Sequence, residues 1–352
     1  MAKTTVKRRD FLKAAGASAV ALNAPAGLKA IGGKLNVQPS AVPADTSYPK
    51  LAIIAHYSPQ KLAFAASAGY EGVVIPLDEF FDPDKLTDSQ IDRVLATARD
   101  SGVRIISIEC MWGINHIAKD PAKRREARAK FVRCLEFGHR LGCKFVGTFS
   151  GATEGASGPA AGDEQAKALA EAVNEQYLPV LEKLDLGMGW ENYPCDVNFA
   201  TVPALWNKVF GLVPSHRLGL EFDPSHLVRQ YIDPVATAWD VKDRILAVHA
   251  KDTEIIEPVL QRVGIHGEKW WRYRIPGQGL INWPEFVTVL LQIGFKGGMA
   301  VEHEDDFWDG DDDPKRPEFS QARKDGFLLA ERFLRLYLPG RPEREGPFSA
   351  DS

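Results

Sequence analysis

Four residues with acidic or imidazole side chains each stand at the C-terminal end of a short apolar run. They are Glu191, Asp223, His249 and Glu302. If these runs are successive parallel strands of one barrel, their C-terminal ends lie on the same face and the four side chains converge. Two Glu, one Asp and one His form an oxygen-rich set that suits Mn²⁺, Mg²⁺ or Co²⁺ better than a structural zinc.

The elements that must position these residues follow a regular alternation. Short, nearly continuous apolar runs alternate with longer amphipathic segments, which is the pattern of βα units around a parallel sheet. The count predicts an α/β fold of the (β/α)8 TIM-barrel type, with a doubly wound sheet as the structural alternative. The predicted strands are residues 51–56, 72–77, 104–109, 144–150, 186–191, 217–223, 245–251 and 298–303.

Several connections carry their own expectations. Thr87 and Gln90 have the capping-box spacing of a helix start, and residues 164–184 have the periodicity of one long helix. Residues 252–282 form a long loop of the kind that is usually functional. Residues 305–317 are acidic, and we expect this loop to be solvated.

Two further side chains flank the predicted ligands. His226 follows Asp223 by three residues and is predicted to hydrogen-bond a substrate hydroxyl or carbonyl group. Lys251 follows His249 by two residues and points the same way if the strand continues. We therefore predict that Lys251 also contacts the substrate, with a structural ion pair at the barrel rim as the alternative.

The motifs around these residues resemble the sugar phosphate isomerase/epimerase family, which has a xylose isomerase-like barrel and includes ketose 3-epimerases and inosose dehydratases. The matching motifs are Glu191-Asn, Asp223-Pro-Ser-His226, His249-Ala-Lys-Asp252 and Val301-Glu302-His, and the resemblance spans about residues 51–338. It implies one divalent metal ion (Mn²⁺, Mg²⁺ or Co²⁺, with Zn²⁺ possible) bound by the four predicted ligands. In the epimerase branch the two Glu ligands exchange the substrate's proton beside a carbonyl that the metal polarises, so Glu191 and Glu302 are the implied catalytic pair.

Two positions depart from the epimerase pattern. Val197 stands where ketose 3-epimerases have a substrate-binding Glu, and Ile255 stands where they have an Arg. Recognition of a free ketohexose is therefore in question. Arg272 and Arg274, on the long connection, are predicted to replace the missing Arg, and the alternative is that they are solvated loop charges.

Aromatic residues near the predicted strand ends favour a sugar ligand. A tryptophan offers a flat apolar surface and one N–H donor, which match the mixed faces of a pyranose. Trp112 and His56 are the predicted substrate contacts of this kind, and packing at the barrel rim is the alternative for each. Other tryptophans predicted near the same face are Trp190, Trp270, Trp271 and Trp308.

The N-terminal segment is predicted to be an export signal rather than part of the fold. Residues 7–13 read Lys-Arg-Arg-Asp-Phe-Leu-Lys, which resembles the twin-arginine motif, and a weakly apolar stretch follows. The predicted organisation is a signal over residues 1–30, a linker over 31–49, a barrel over 50–340 and a tail over 341–352. This places the mature protein in the periplasm or otherwise outside the cytoplasm.

Charge and composition narrow the classes of partner. The net charge is −4, and removal of the strongly basic residues 1–30 leaves −9, which argues against a nucleic-acid backbone as partner. No apolar run reaches the ~18 residues of a membrane span. The four cysteines show no CxxC pairing and are predicted to be reduced. The expected partner is a small carbohydrate, and a homo-oligomer is possible.

Four functions therefore compete. A metal-dependent isomerase or epimerase of a sugar or keto-sugar is the leading interpretation. A lyase that eliminates the C1 substituent of a 3-keto glycoside on the same metal site is the main alternative. An endonuclease IV-like nuclease would need several more His ligands than the eight His in the chain easily supply, and the acidic charge also opposes it. A non-catalytic sugar-binding protein is the fourth interpretation.

Overall fold

The computed structural model describes residues 49–158 and 160–338. The predicted export signal (1–30), the predicted tail (341–352) and all but the last residue of the predicted linker (31–49) lie outside the described residues. None of the helices within the described ranges is both long and apolar enough to cross a membrane.

Eight parallel strands close into a barrel. They are β1 (Lys50–Ile54), β2 (Gly72–Pro76), β3 (Arg104–Cys110), β4 (Phe145–Thr148), β5 (Gly187–Glu191), β6 (Leu218–Phe222), β7 (Ile245–Ala250) and β10 (Gly298–Val301). Each strand pairs with its neighbour in this order, and β10 closes the barrel against β1 with Leu51 opposite Met299. The (β/α)8 prediction is confirmed, and each strand coincides with one of the predicted apolar runs.

Helices connect the strands and pack their apolar faces into the main hydrophobic core. Several begin where the sequence supplies a cap: the Ser58 hydroxyl accepts the Lys61 N–H at 3.0 Å, and the Gln90 side chain accepts the Thr87 N–H at 2.9 Å. The helices are α1 (Pro59–Ser67), α2 (Asp88–Ser101), α3 (Pro121–Arg140), α4 (Ala161–Ala172), α5 (Leu178–Leu184), α6 (Pro203–Leu212), α7 (Pro224–Val228), α8 (Pro234–Asp240), α9 (Glu257–Val263), α10 (Trp283–Gln292) and α11 (Gln321–Leu334).

The single helix expected over residues 164–184 is interrupted. A π-helical turn, Val173–Tyr177, separates α4 from α5. Pro179 lies in the first turn of α5 and has no N–H to donate to the preceding turn, so a wider turn replaces the regular α-helical bonding there.

Residues 252–282 are not the irregular loop expected from the sequence. They form an antiparallel ribbon of β8 (Asp252–Ile255) and β9 (Trp271–Arg274), with α9 inserted between the two strands. The ribbon follows β7 directly, so it extends from the C-terminal face where the predicted ligands lie.

Asp252 anchors this ribbon to the barrel. Its fully buried carboxylate accepts the backbone N–H groups of Gly277 and Ile281 and the Trp283 indole N–H, at 2.9–3.1 Å. A Cβ atom at Gly279 would overlap the Asp252 carboxylate, so the turn needs glycine at this position.

The acidic loop of residues 305–317 is less solvated than expected. Asp305 is fully buried and accepts the backbone N–H groups of Ile275 and Phe307. Asp312 accepts the His56 backbone N–H at 2.8 Å and pairs with the buried Lys61 ammonium at 2.6 Å. The loop is therefore tied to the end of the ribbon, to the segment that follows β1 and to α1.

Candidate metal and substrate site

The four predicted ligands meet at the C-terminal end of the barrel. Glu191 ends β5, Asp223 follows β6, His249 lies near the end of β7 and Glu302 follows β10. One ligand atom from each lies within 4.8 Å of the corresponding atoms of the others. The His249 Nδ1 atom is 3.1 Å from Glu191 Oε1 and 3.0 Å from Glu302 Oε2. The parallel register places these strand ends at one level, which is why the sequence predicted the convergence.

Two asparagines fix the backbone beneath the acidic ligands. Asn192 accepts the Asp223 N–H with its side-chain oxygen and donates its Nδ2 to the Asp223 carbonyl oxygen, both at 2.8 Å. The Asn198 amide donates to the Glu191 carbonyl oxygen at 2.8 Å. The Asn192 bonds therefore continue the pairing of β5 and β6 beyond the last ladder pair, Glu191 and Glu221, and hold Asp223 beside Glu191.

Asp223 has one oxygen committed and one available. Its Oδ1 accepts the Ser225 N–H at 2.7 Å and so caps α7. Its Oδ2 is buried, accepts no hydrogen bond from the described residues, and lies 3.2 Å from both Lys251 Nζ and His226 Nε2. A buried carboxylate oxygen without a hydrogen bond is costly, and a bound cation would satisfy it.

Lys251 places a buried positive charge beside the acidic ligands. Its ammonium is 2.7 Å from Glu302 and Glu304 and 3.2 Å from Asp223, and it lies 4.4 Å from the centre of the Tyr273 ring. Three carboxylates already surround the three N–H donors. The structural alternative stated for Lys251, an ion pair at the barrel rim, is thus present, and a substrate contact stays a prediction.

His226 is engaged through both ring nitrogens. Arg229 Nη1 donates to the Tyr273 hydroxyl oxygen at 2.7 Å, which leaves that hydroxyl to donate to His226 Nδ1 at 2.8 Å. A neutral His226 then carries its proton on Nε2, which lies 3.0 Å from Glu191 and 3.2 Å from Asp223. In this geometry His226 contacts Glu191 and Asp223 and can hold both carboxylates in place. The predicted contact between His226 and the substrate stays a prediction.

Two acidic residues missed by the sequence reasoning lie on the other side of His249. Glu109, near the end of β3, and Glu221, in β6, each place an oxygen 3.2 Å from His249 Nε2. Both are buried. The available signal was Glu221 itself: it interrupts an apolar strand two residues before Asp223, so both side chains face the barrel interior.

The charges in this cluster perturb one another strongly. Burial and the neighbouring Glu302 raise the pKa of Glu191 well above its usual value. Burial alone would raise the pKa of Glu302, but Lys251 and His249 hold it well below its usual range. Burial would lower the pKa of His249, but Glu221, Glu302 and Glu191 hold it well above its usual value. The buried carboxylates are thus stabilised as anions only by nearby positive charge, and a bound cation would supply such a charge.

A cavity of about 300 Å³ opens above the ligands. Glu191 and Glu302 line its floor, and Trp112 and His56 line its walls. The Trp112 side chain is 69% exposed and contacts the Phe149 ring edge-to-face at 5.2 Å. The His56 Nδ1 atom lies 2.7 Å from Asp78. The structure therefore places both predicted contacts at the cavity, where their role stays a prediction.

Arg272 and Arg274 do not line this cavity. Arg272 donates to Glu254 at 2.8 Å, and Arg274 donates to Glu254 and Asp305 at 2.6 and 2.8 Å. Both guanidinium groups also lie over the Phe307 ring. Cross-strand pairing in the ribbon directs both guanidinium groups to these partners. Our expectation that they replace the missing epimerase Arg stays a prediction.

The wider tryptophan prediction also needs correction. Trp190 is buried and donates its indole N–H to the Ala200 carbonyl oxygen at 2.9 Å. Trp270 stacks on Tyr231, and Trp271 lies against Arg229. Of the five predicted tryptophans only Trp112 lines the cavity. The position of a tryptophan near a strand end does not determine whether its side chain faces the cavity or packs elsewhere.

Comparison with known proteins supports the fold and defines the family. Residues 62–324 match the family model described as xylose isomerase-like TIM barrel. Among solved structures, a D-allulose 3-epimerase from Methylomonas sp. has a TM-score of 0.61 at 15% identity, covering 82% of this chain and 98% of that chain. The probable 3-DHS dehydratase AsbF from Bacillus anthracis has a TM-score of 0.59 at 14% identity, covering 81% and 98%. At these identities the likeness shows the fold.

Curated relatives match over shorter stretches. The inosose dehydratase of Glaesserella parasuis serovar 5 (strain SH0165) is 26% identical over 208 residues, which cover 52% of this chain and 65% of that protein. The uncharacterized protein YfiH of Bacillus subtilis (strain 168) is 33% identical over 98 residues, or 25% of this chain and 31% of that protein. The chain spans less than two thirds of the length of these relatives. The family model covers well over half of the chain, and the protein belongs to the xylose isomerase-like TIM-barrel family.

Proposed function

We propose that this protein is a divalent-metal-dependent enzyme that moves a proton next to the carbonyl group of a sugar or keto-sugar, with isomerisation or epimerisation as the outcome. The observation that supports this most strongly is the convergence of Glu191, Asp223, His249 and Glu302 beneath a small cavity, whose lining includes Glu191 and Glu302. The solved structures that share this fold include a D-allulose 3-epimerase, and an enzyme of that class would need such a site.

The donor set fits a divalent cation. Three carboxylates and one imidazole offer ligand atoms within 4.8 Å of one another, and Asp223 Oδ2 accepts no hydrogen bond from the described residues. Such an oxygen-rich set favours Mn²⁺, Mg²⁺ or Co²⁺, with Zn²⁺ possible. When bound, the cation would polarise a substrate carbonyl and make the adjacent C–H more acidic.

The two glutamates are suited to proton transfer. Both line the cavity, and each has a different companion: Lys251 Nζ is 2.7 Å from Glu302, and His226 Nε2 is 3.0 Å from Glu191. One glutamate removes the substrate proton and the other returns it, each close to a group that can stabilise its charged form. An enzyme with two such groups can exchange a proton between opposite faces of one carbon.

The cavity favours a neutral substrate of monosaccharide size. Its volume, about 300 Å³, is at the lower end of the range for small-molecule sites. Its lining is rich in carboxylates, including Glu304, Asp311 and Asp312, which disfavour a phosphate group. The exposed Trp112 ring offers a surface on which a sugar could stack. The export signal proposed for residues 1–30 agrees with a substrate met outside the cytoplasm.

Elimination is the second candidate outcome. The curated match that covers 52% of this chain is an inosose dehydratase, and the residues at two epimerase substrate positions are the apolar Val197 and Ile255. The same proton removal could then expel a leaving group from the neighbouring carbon, as in a 3-keto glycoside lyase. The two outcomes share Glu191 and Glu302 and differ in whether the proton returns to the same carbon.

Proton exchange with solvent tests the proposed function. Candidate keto-sugars and 3-keto glycosides would be incubated in D₂O with Mn²⁺ and wild-type protein, Glu302→Gln or the exposed control Glu257→Gln. We expect deuterium at the carbon beside the carbonyl with wild type and control, and a rate loss of about 10²- to 10⁴-fold in Glu302→Gln. Recovered labelled sugar indicates epimerisation, and loss of a substituent indicates elimination. Equal exchange in Glu302→Gln would contradict the proposed role.

A further inference from the structure

A buried acid pair lies beneath the proposed metal site. Glu109 and Glu221 are 6% and 0% exposed, and the only imidazole they approach among the described residues is His249. Glu109 Oε1, both Glu221 oxygens and His249 Nε2 form no hydrogen bond within the described residues. Nε2 is in ion-pair contact with the two acids at 3.2 Å, which leaves these buried atoms to satisfy one another. Burying two carboxylates is costly unless hydrogen bonds or positive charges stabilise them, so we expect this pair to have a role in the site.

A second metal ion at this pair competes poorly for the same imidazole. His249 Nδ1 faces Glu191 and Glu302, whereas Nε2 faces Glu109 and Glu221. When a cation is bound, the imidazole is neutral and has one lone pair and one N–H, so one nitrogen binds the cation and the other keeps its proton. The Nδ1 side has three carboxylates and borders the substrate cavity. It is therefore the better cation side, and Nε2 keeps its proton.

We propose that Glu109 and Glu221 are positioning residues: they accept the Nε2–H of His249 and hold the Nδ1 lone pair towards Glu191, Asp223 and Glu302. This inference rests on the proposed function, since it concerns how this chain prepares one ligand for the cation. A carboxylate that accepts the second N–H of a metal-binding histidine fixes its tautomer and orientation and raises its basicity.

The barrel interior is built to accommodate this arrangement. Glu221 packs against β4 at Gly147, and a Cβ atom at that position would overlap the Glu221 carboxylate. Glu221 and Asp223 lie two residues apart at the end of β6, so they project to the same side. The end of β6 thus supplies the proposed ligand Asp223 and also Glu221, which contacts the proposed ligand His249, so the positions of the two ligands are coupled.

Metal affinity is the first test. Co²⁺ would be titrated into wild type, Glu221→Gln, Glu109→Gln and the double variant, with Ser107→Ala as the matched control. Ser107 is buried and lines a second cavity that Glu221 and His249 also line, and its hydroxyl forms no hydrogen bond within the described residues. We expect one ion per chain throughout, an affinity loss of about 10- to 100-fold in the double variant, and wild-type affinity in Ser107→Ala.

Gly147→Ala provides a second route to the same perturbation, because its methyl group displaces the Glu221 carboxylate without removing it. It should weaken Co²⁺ binding in the same direction as Glu221→Gln. Wild-type affinity in the double variant would overturn the proposal. A second ion in wild type that the double variant loses would also overturn it, and would assign the pair to a separate metal site.

Nitrogen-15 NMR of His249 separates this inference from the proposed function. We expect the wild-type spectrum to show a slowly exchanging Nε2–H proton, and the double variant to lose that protection. This signal does not need a metal. If wild type binds no metal but keeps the protected Nε2–H, the proposed function fails and the positioning contact stands. Without that signal in wild type, the positioning contact is excluded whatever the metal does.

Discussion

Replacing His116 by glutamine should make the stability of this protein less sensitive to acid. His116 is fully buried, and its ring nitrogens lie 2.8 Å from the Tyr177 hydroxyl and 3.1 Å from the Thr148 hydroxyl. Burial, with a smaller contribution from Arg128, lowers the pKa of His116 to about 3. In an unfolded chain a histidine has a pKa of about 6.5.

The sign and size of the effect follow from these two pKa values. Because the folded pKa is the lower one, protonation of His116 favours the unfolded state. Its contribution to stability is fully present above about pH 6.5 and is lost progressively as the pH falls towards about 3. At about pH 5 the unfolded imidazole gains about 2 kcal/mol from protonation that the folded one does not gain.

Urea unfolding at about pH 7.5 and about pH 5 measures this difference. Wild type should lose about 2 kcal/mol more unfolding free energy than His116→Gln over this interval. The variant His139→Gln, which changes an exposed histidine, should behave as wild type does. Equal losses in wild type and His116→Gln would refute the assignment of His116 as a histidine that burial keeps neutral.

Three further predictions concern the cavity and the ribbon. Trp112→Ala should raise KM for a sugar substrate by about tenfold with little change in kcat, because an exposed stacking surface is lost; unchanged steady-state KM would exclude this contact. Arg274→Ala should lower the free energy of unfolding by about 3 kcal/mol because it removes the guanidinium beside the fully buried Asp305, whereas Arg272→Ala should cost about 1 kcal/mol or less; similar values in urea unfolding would contradict this contrast. Gly279→Ala should lower the thermal midpoint because the new methyl group displaces the Asp252 carboxylate, and an unchanged midpoint would show that the ribbon has another anchor.

The barrel and the four proposed ligands could be predicted because each ligand stands where an apolar stretch of the sequence ends. Glu191, Asp223, His249 and Glu302 each end an apolar run, and in a parallel barrel all such ends lie on one face. The convergence is a consequence of topology, so no side-chain detail was needed to anticipate it.

Contacts that depend on which way a side chain points could not be predicted in this way. Glu221 is the only charged residue of β6 and so marks its own position, but the sequence does not show that His249 Nε2 faces it. Arg274 is directed to Asp305 by pairing between β8 and β9, and the sequence of residues 252–282 was interpreted as a loop. Short ribbons of polar residues lack the apolar pattern that identifies barrel strands.

Metal content per chain tests the central claim most directly. Protein purified without chelator would be analysed by elemental mass spectrometry, with Asp223→Asn as the matched variant, because Asp223 Oδ2 is the buried oxygen that accepts no hydrogen bond from the described residues. We expect one Mn, Mg, Co or Zn ion per wild-type chain, and none in Asp223→Asn that retains the wild-type circular dichroism spectrum. No metal in wild type, even after reconstitution, would contradict the claim, and two or three zinc ions would indicate nuclease-type chemistry instead.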